Sequence, residues 1–567
     1  MRHASVRPAQ GGLPETRGWN LWTEDASLRA LLPLYLSPEL MAHLRPHLEA
    51  LGGRITTELD DLASAADRNP PVLHQRGRQG VDDPSIDYHP AYRALEQVAF
   101  GDYGLAAMSH RGGVLGWPEP MPPAAKYAFT YLFVQSEFGL CCPLSMTDAL
   151  TRTLRKFGAP DLVARHLDAL TATDLDALSQ GAMFMTEQGA GSDVGASAVT
   201  ARPRADGMWE LHGEKWFCSN ADAELAMVLA RPEGAGPGTK GLGLFLLPSH
   251  RADGTRNAYR IVRLKEKLGT RSMASGEISL QGAEAWPVGD LSRGFKQMAE
   301  MINASRLSNA VRAAGLMRRS LHEAVCVARG REAFGRRLDR LPLMRRSLLK
   351  LAVPTEQALS LVLYTAQAMA EADAGDREAG KALRCLTALL KFRACRDARK
   401  VSGDAMEVRG GCGYIEEWIN PRLVRDSHLG SIWEGTSNIV ALDVLRGAGR
   451  LGAPAALAAR IGADLDRHAG AEPMAGEARQ WLARAVALVD RAAAEDERLA
   501  RQAASALYHA ASAAVMVVEA GRLGGEPTRR RRRLARLVMD HRLTPADPFA
   551  TSDGAEEEAA FETLFGT

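Results

Sequence analysis

The stretch MTEQGAGSD, residues 185–193, separates two parts of the chain that differ in sequence pattern. Its glycines allow a ligand to approach the backbone closely, and consecutive N–H groups in such a loop can bind an anion. Thr186 and Ser192 add hydroxyl donors. The stretch does not match G-x-G-x-x-G and no βαβ pattern surrounds it, so a Rossmann dinucleotide site is not supported. On spacing alone, a glycine-rich linker between domains is an equally good interpretation.

The segments on either side predict an α+β fold with four domains. Residues 1–180 are mostly helical, with apolar residues at three-and-four spacing. Residues 181–290 hold short apolar runs between Gly, Pro and Asp, which is typical of a compact β domain. Residues 291–447 are rich in Ala, Leu and Arg and suit a helical bundle, and residues 448–567 form an additional helical domain.

Four long stretches carry the clearest helical spacing. In the bundle they are residues 298–329, 341–374 and 380–408, which predict three long amphipathic helices. In the N-terminal domain the same spacing runs from residue 124 to residue 154. We therefore expect long helices on both sides of the β domain.

Composition excludes several classes of protein. The 567 residues include 70 Lys and Arg against 68 Asp and Glu, so the net charge of +2 gives no global argument for nucleic-acid binding. The seven cysteines are scattered without zinc spacing, which predicts a reduced cytoplasmic protein with no structural metal. The sequence contains no uninterrupted run of about 18 apolar residues, so no membrane span is predicted. Residues 1–15 lack the apolar block of a secretory signal.

Two further motifs can bind a planar, phosphorylated ligand. In EKWFCSN, residues 214–220, an aromatic side chain can cover a ring while hydroxyl and backbone groups bind its edge. Burial in the core is the commoner fate of residues such as Trp216 and Phe217. In RGREAFG, residues 329–335, Arg331 can bind a phosphate and Phe334 can stack on a base. A basic helix end that complements the helix dipole is the simpler interpretation of this motif.

The fourth motif, SIWEGTSN at residues 431–438, contains a candidate base. Glu434 lies between Trp433 and Gly435, where partial desolvation would strengthen a carboxylate as a base near neutral pH. A carboxylate that caps the start of a helix is an alternative of equal weight.

Together the four motifs resemble the signatures of the acyl-CoA dehydrogenase family of flavoproteins, in the same order along the chain. Those signatures look like TExxAGSD, KxWxxN, RxxFG and an EGT near the end of the bundle. The closer resemblance is to the alkylation-response, or AidB, branch of the family. It is carried by CPLSMT at residues 142–147, RLKEKLG at residues 263–269, GGCGY at residues 410–414 and the extra C-terminal helical domain.

The resemblance implies non-covalent FAD between the β domain and the bundle. It also implies a homo-oligomer, a tetramer built as a pair of dimers, in which Arg331 and Phe334 reach the FAD of a neighbouring subunit. The other residues that the resemblance assigns to the cofactor are Met185, Thr186, Gly191, Ser192, Phe217, Cys218, Ser219, Trp433, Gly435, Thr436 and Asn438.

By the same resemblance, Glu434 is the catalytic base that takes the α-proton of an acyl thioester while the β-hydride passes to the flavin. Some family members carry the base on a bundle helix just before an Arg, but here Ser305 stands before Arg306 and cannot serve. Trp433 stands where the family often has Tyr, and Phe217 stands where it has Trp. The resemblance thus implies an acyl-CoA dehydrogenase-like oxidoreductase whose turnover is weak or specialised.

A basic run near the C-terminus suggests a second function. The run consists of Arg529, Arg530, Arg531, Arg532 and Arg533. Arginine clusters contact phosphates, and the resemblance to the AidB branch implies sequence-independent binding of double-stranded DNA through this domain. The alternative is a solvated helix face paired with the acidic tail at residues 556–558. In a DNA-binding protective flavoprotein, the flavin would be structural or would detoxify alkylating agents without significant acyl-CoA turnover.

Overall fold

The computed structural model describes residues 12–551 and 554–566. The segment that lacks the pattern of a secretory signal is residues 1–15, and its residues 1–11 lie outside the described residues. The chain divides into two compact units. The β unit comprises Glu58–Met121 and Ser136–Ser308, and the helical unit comprises the described parts of Met1–Thr57, Pro122–Gln135 and Asn309–Thr567.

The α-helices alternate with shorter 3₁₀ and π turns. In chain order they are α1 (Leu21–Glu24), α2 (Ala26–Leu31), α3 (Pro38–Arg54), α4 (Asp60–Arg68), α5 (Pro90–Glu96), α6 (Pro123–Phe133), α7 (Cys141–Phe157), α8 (Pro160–Leu170), α9 (Gly294–Gly330), α10 (Pro342–Asp373), α11 (Arg377–Arg409), α12 (Asn420–Leu429), α13 (Ser437–Leu451), α14 (Ala453–Ala469), α15 (Ala475–Ala494), α16 (Ala500–Arg522), α17 (Gly525–Val538) and α18 (Ala555–Phe565).

Most of the strands fall between α8 and α9. In chain order they are β1 (Val72–Arg76), β2 (Asp82–Asp87), β3 (Gly181–Phe184), β4 (Thr200–Pro203), β5 (Trp209–Ser219), β6 (Leu225–Pro232), β7 (Gly243–Pro248), β8 (Tyr259–Leu264), β9 (Ser275–Pro287), β10 (Glu332–Ala333) and β11 (Arg336–Arg337).

The β unit is built on a seven-stranded sheet. Its strand order is β3-β6-β4-β5-β9-β7, and β6 also pairs with β7, so five of these strands form a closed circuit. The strand β8 adds to β9. Apolar side chains such as Val228, Phe245 and Ile278 fill the core of this unit. The longest strands, β5 and β9, pair antiparallel and bring Ser219 opposite Ser275.

The helical unit contains the long bundle helices. The prediction of three such helices is confirmed by α10, α11 and the part of α9 that lies in this unit. Helices α14, α16 and α17 pack on this bundle, so the unit includes the described residues beyond 447. The predicted α+β fold class and its order of helical, β and helical segments are confirmed. The division into four domains at residues 180, 290 and 447 stays a prediction.

The prediction of one helical pattern over residues 124–154 is wrong in its continuity. Helix α6 ends at Phe133 and α7 begins at Cys141. Just before α7, the side chain of Glu137 accepts a hydrogen bond from the backbone N–H of Leu140 at 3.1 Å. The same oxygen accepts one from the hydroxyl of Ser272 at 2.8 Å. Glu137 therefore fixes the connection between the two helices, and α7 begins at Cys141 without a side-chain cap.

One helical segment among the described residues is long and apolar enough to cross a membrane. It runs from Glu497 to Arg522 and includes α16. Within this segment, 89% of the most apolar window is buried inside the protein. Its side chains bond to the bundle as well, since Gln357 donates to Ser512 at 2.7 Å. This segment is therefore a core helix of the helical unit.

Candidate active site

The glycine-rich loop of the β unit is fixed at one point by a buried ion pair. Lys215 on β5 donates to the carboxylate of Glu187 at 2.7 Å, and both side chains are buried. Lys215 also donates to the carbonyl oxygens of Met185 at 3.2 Å and Leu229 at 2.8 Å. Glu187 in turn accepts from the N–H of Ala198 at 2.6 Å. Burial lowers the pKa of Lys215, and the Glu187 carboxylate opposes that shift.

The rest of this loop is open to solvent. Gly191 and Ser192 are exposed, and a Cβ added at Gly191 would meet no atom within 4 Å. Thr186 is half-buried, and its carbonyl oxygen accepts from the N–H of Trp216 at 2.8 Å. The loop therefore joins β5 through hydrogen bonds while its donor groups remain available to a ligand. A linker without specific contacts does not describe this arrangement.

Strand β5 presents an aromatic ring on one face and a thiol on the other. Phe217 is 55% exposed, and Ser219 is half-buried. Cys218 is fully buried and belongs to the apolar core of the β unit, because successive side chains of a strand point to opposite faces. Burial also raises the pKa of the Cys218 thiol. The cofactor contact assigned to Cys218 therefore falls to its main-chain groups, and it stays a prediction.

Neighbouring side chains hold the exposed ring. The ammonium group of Lys265 lies 3.4 Å from the ring centroid of Trp216 and 4.8 Å from that of Phe217. The two rings are nearly perpendicular, at 89° with centroids 6.5 Å apart. Trp216 is half-buried, so the interpretation of both residues as core is wrong. The one ammonium group of Lys265 attracts both rings and so orders the two aromatic side chains without burying Phe217.

A chain of polar groups ends at Ser219. Lys267 donates to the hydroxyl of Ser275 at 3.2 Å, and the Ser275 and Ser219 oxygens are 3.2 Å apart. An ammonium group only donates, so the Ser275 oxygen accepts from Lys267 and its proton is available to Ser219. In that arrangement the Ser219 proton can point to an acceptor on a ligand.

These groups of the β unit fit a flavin. An exposed aromatic ring suits the face of a planar tricycle, and an oriented hydroxyl suits its polar edge. The open glycine-rich loop offers N–H and hydroxyl donors of the kind that bind phosphates.

In the helical unit, Glu434 lies in the short loop between α12 and α13. Its backbone φ is 54°, and that of Gly435 is 102°. A left-handed conformation costs a residue with a side chain on the order of 1–2 kcal/mol, and such strain concentrates at functional sites. Thr436, not Glu434, occupies the N-cap position of α13. The capping interpretation of Glu434 is therefore wrong.

Hydrogen bonds from two bundle helices position this loop. Asn309 on α9 is fully buried and donates from its amide nitrogen to the carboxylate of Glu434. Lys391 on α11 is buried and donates to the carbonyl oxygen of Gly430 at the start of the loop. Arg396, also on α11, donates to Ser437 just after the loop at 3.3 Å. Glu434 thus occupies a segment that is tied at both ends and in the middle.

Trp433 packs beside the candidate base. It is half-buried, and the guanidinium of the fully buried Arg312 lies 4.8 Å from its ring centroid. Beyond Glu434, Gly435 is half-buried, and Thr436 and Asn438 are exposed at the start of α13. The polar groups of these three residues are available to a ligand that binds beside the loop of Glu434.

Arg331 directly follows α9, and its N–H donates to the carbonyl oxygen of Val327 at 3.0 Å, whereas Phe334 lies in the hairpin that comes next. The basic helix end of the simpler interpretation is therefore present, with Arg329 in the last turn of α9. Strands β10 and β11 flank the turn of Phe334 and Gly335, whose φ values are 55° and 71°. Phe334 is 93% exposed. Arg331 donates to the carbonyl oxygen of Arg409 at 3.2 Å. It lines a cavity of about 310 Å³ together with Leu13, Pro14, Val327, Arg409, Gly410, Gly411, Cys412 and Ile415.

The five-arginine run is not one exposed basic patch. Arg531 is buried and donates to Glu356 at 2.6 Å, and Arg530 approaches the same carboxylate at 3.3 Å. Arg532 is exposed but pairs with Glu472 at 2.7 Å. The prediction is therefore wrong for Arg530 and Arg531, because their charges neutralise an internal carboxylate. Arg529 is exposed and Arg533 is half-buried.

The acidic tail pairs elsewhere as well. Glu557 binds Arg346 at 2.7 Å, and Glu558 binds Arg345, both on α10. The alternative in which this tail pairs with the arginine run is therefore also wrong. Helix α17 and the tail each bind the bundle.

Sequence reasoning missed the residues that hold Glu434. Asn309 and Arg312 are three residues apart on one face of α9, and both are fully buried. Polar residues within a helix that is otherwise packed are a recognisable signal. That signal needs knowledge of which face of α9 is buried.

Models of known protein families match three consecutive parts of the chain. The AidB N-terminal domain, described as that of the adaptive response protein, matches residues 13–177. The middle domain of acyl-CoA dehydrogenases matches residues 182–283, and their C-terminal domain matches residues 292–449.

Two relatives cover most of the chain. A putative acyl-CoA dehydrogenase AidB from Escherichia coli is 35% identical over 412 residues, which are 70% of this chain and 73% of that protein. Acyl-CoA dehydrogenase family member 11 from Caenorhabditis elegans is 33% identical over 432 residues, which are 74% of this chain and 69% of that protein.

Solved structures agree with these relatives. The structure of C. elegans ACDH-11 in complex with C11-CoA has a TM-score of 0.86 and 27% identity, over 96% of this chain and 95% of that one. An acyl-CoA dehydrogenase complexed with FAD from Bacillus anthracis shares the fold, with a TM-score of 0.69 and 18% identity over 97% of this chain and 92% of that one.

Proposed function

This chain belongs to the acyl-CoA dehydrogenase family, in its AidB-type branch, and from that premise we propose that Glu434 is the base of an α,β-dehydrogenation of an acyl thioester. The observation that carries the proposal is the position of its carboxylate. Glu434 is half-buried, has a strained backbone and is held by the buried Asn309. A general base in a fixed position typically contributes about 10²- to 10⁴-fold to the rate.

Enzymes of this family depend on FAD, which accepts the β-hydride when it is bound. In the β unit, Phe217 would cover the ring, Ser219 would donate to its edge, and Thr186 and Ser192 would bind its polar groups. In the helical unit, the residues that would contact the cofactor are Trp433, Gly435, Thr436 and Asn438. Their exposed or half-buried donors support this assignment.

We propose an acyl-CoA as the thioester, in line with the C11-CoA bound to the similar C. elegans protein. Glu434 takes the α-proton, and Asn309 keeps the carboxylate in place. The Trp433 indole, fixed by Arg312, occupies volume next to the base. That bulk supports slow or specialised turnover, because a narrowed site accepts only some acyl chains.

An anaerobic absorbance titration tests this function. Purified protein that contains FAD is mixed with acyl-CoAs of several chain lengths, and the visible flavin absorbance is recorded. We expect at least one acyl-CoA to bleach the flavin in a stoichiometric reaction. A flavin that stays oxidised with every acyl-CoA would reject the proposal.

We also propose that the protein is a homo-oligomer, a tetramer, in which Arg331 and Phe334 contact the FAD of a neighbouring subunit. A Phe that is 93% exposed on a hairpin tip supports a partner surface, because contact with a second subunit would remove this ring from water. Tyr414 of the GGCGY segment is a second large side chain that is left exposed, at 81%.

Association with double-stranded DNA is the second candidate function, and an arginine cluster outside the five-arginine run supports it. The cluster consists of Arg396, Arg399 and Arg501, together with Arg542, which lies like Arg396 near the buried Asp397. Arg396 and Arg399 donate to serine hydroxyls, at 3.3 Å to Ser437 and 3.1 Å to Ser431. Arg399, Arg501 and Arg542 are exposed. Burial and the nearby charges of Arg501, Arg393 and Arg399 lower the pKa of Arg396.

This cluster differs from the five-arginine run in its balance of charge. Three arginines of the run bind carboxylates, whereas Arg396 and Arg399 donate to the neutral hydroxyls of Ser437 and Ser431. The helices α11 and α16 that carry Arg396 and Arg501 pack against each other. Excess positive charge on one face is the electrostatic signature of phosphate binding.

The salt dependence of DNA binding distinguishes the arginine cluster from the five-arginine run. The double variant Arg501→Gln/Arg542→Gln leaves the loop of Glu434 untouched, and we expect it to lower the log–log salt slope by about two units. The matched variant Arg529→Gln/Arg533→Gln should change the slope less. Equal slopes in wild type and the first variant would reject the cluster. A larger effect of the second variant would return the interface to the five-arginine run.

A further inference from the structure

The amide of Asn309 has one satisfied end and one unsatisfied end. Its nitrogen donates to the carboxylate of Glu434. Within residues 12–551 and 554–566, no donor bonds to its side-chain oxygen, although that atom is buried. Buried polar atoms without a partner are rare in proteins, so this one needs an explanation.

The backbone of Asn309 is fixed independently of its side chain. It lies within the long helix α9, and its carbonyl oxygen accepts a contact from the thiol of Cys395 on α11 at 3.7 Å. Helix α9 therefore offers a rigid base from which one side chain can serve the loop of Glu434. Only the terminal torsion of the amide has a broad range, which allows it to turn in place.

We propose that Asn309 is a positioning residue that favours the ionised form of Glu434 and fixes the direction of its carboxylate. After proton transfer, the side-chain oxygen of Asn309 accepts a hydrogen bond from the protonated carboxyl of Glu434. The proposal rests on the proposed role of Glu434 as base. During the reaction the α-proton passes to the Glu434 carboxylate, and the electron pair of that C–H bond forms the new C=C bond. The β-hydride leaves with its own electron pair to the oxidant, FAD.

An amide suits both states of the base for a simple reason. The –NH₂ group donates to a carboxylate, and the oxygen accepts from a carboxylic acid once the amide has turned. A charge-assisted hydrogen bond is about twice as strong as a neutral one. The net effect of Asn309 is therefore to favour the ionised base, while the protonated form is never left without a partner.

Apart from the carboxylate that Asn309→Asp introduces, the charged and titratable groups around this loop remain the same in the variants of Asn309. On the helices packed against it they are Arg312, Lys391, Cys395, Arg396, Arg399 and His428. A difference between wild type and a variant of Asn309 therefore reports on this amide.

The test measures flavin reduction by acyl-CoA against pH in holoenzyme. For Asn309→Leu we expect the acid limb of the pH–rate profile to move up by about one pH unit, because the donor to the carboxylate is lost. The rate constant above that limb should fall about tenfold, with KM unchanged. For Asn309→Asp the acid limb should move further, because a second carboxylate opposes ionisation of the first.

Gln357→Leu is the matched control, since Gln357 is another buried amide of the helical unit, bonded to Ser512 at 2.7 Å. It should lower stability and leave the acid limb in place. A fall in rate for Asn309→Leu without movement of the limb would overturn the proposal, as would equal limbs in the Leu and Asp variants.

An infrared titration separates this proposal from the proposed function. The carboxylic-acid band of Glu434, isolated by subtraction of the Glu434→Gln spectrum, is followed against pH in holoenzyme without substrate. Its midpoint should rise in the order wild type, Asn309→Leu, Asn309→Asp. If no acyl-CoA bleaches the flavin but this order is seen, the proposed function fails, while the role of Asn309 in favouring the ionised form of Glu434 stands. An unchanged midpoint in both variants would overturn the role of Asn309.

Discussion

Glu434→Gln holoenzyme should keep its visible flavin absorbance yet be reduced by acyl-CoA roughly 10²- to 10⁴-fold more slowly than wild type. Glutamine preserves the shape of the side chain but cannot take a proton. Its amide can still bond to Asn309, so the strained loop should keep its conformation. Stopped-flow absorbance under anaerobic conditions measures the rate constant directly.

Glu526→Gln is the matched control for this prediction. Glu526 is an exposed glutamate in the first turn of α17, in the same unit as Glu434. The control should reduce at the wild-type rate. A wild-type rate in Glu434→Gln would remove this residue from the chemistry and leave the helical unit without its proposed base.

The second large effect concerns stability. Glu356→Gln should lower the free energy of unfolding by about 3–5 kcal/mol, because it removes the carboxylate that three arginines share and leaves Arg318 with Asp25 alone, at 3.0 Å. Glu356 is fully buried and accepts from Arg318 at 2.8 Å, Arg531 at 2.6 Å and Arg530 at 3.3 Å. Denaturant unfolding at neutral pH, followed by circular dichroism, measures the change.

Glu356 and Glu519, the two carboxylates near Arg531, contribute to the pH dependence of stability with opposite signs. Arg318 and Arg531 hold the pKa of Glu356 well below its usual value in spite of burial, so its contribution is present above the unfolded pKa and is lost as pH falls. Burial raises the pKa of Glu519 to about 7, so its contribution is present at acid pH and is lost as pH rises towards 7.

Glu519→Gln is therefore the informative control. At pH 6 the Glu519 carboxyl is largely neutral, and glutamine imitates that form. This variant should therefore lower the free energy of unfolding much less than Glu356→Gln does. It should also remove the fall in stability between about pH 4.5 and 7. Equal losses in the two variants would contradict this account of the cluster.

The motifs could be predicted from sequence because their meaning is local. The glycine-rich loop, the exposed Phe217 and the strained Glu434 each depend on a few adjacent residues. The bundle helices could be predicted for the same reason, since their apolar spacing persists over many turns. The break between α6 and α7 was missed, and the connection there holds Glu137, whose partner Ser272 is far away in sequence and is not revealed by local spacing.

The remaining differences come from partners distant in sequence. Five consecutive arginines suggest a charged surface, yet Arg530 and Arg531 bind Glu356, more than 170 residues earlier in the chain. Cys218 alternates into the core although both of its neighbours, Phe217 and Ser219, are more exposed. Asn309 gains its role only because the fold brings it to Glu434. Pairings of this kind are set by packing and cannot be derived from local pattern.

Exchange of the α-proton with solvent tests the role of Glu434 most directly. A thioester without β-hydrogens, such as tert-butylacetyl-CoA, cannot be oxidised, so any deuterium gained from D₂O at its α-carbon reports proton abstraction alone. Wild-type holoenzyme should catalyse this exchange, and Glu434→Gln should not. Exchange at the same rate in both proteins would contradict the assignment of Glu434 as the base.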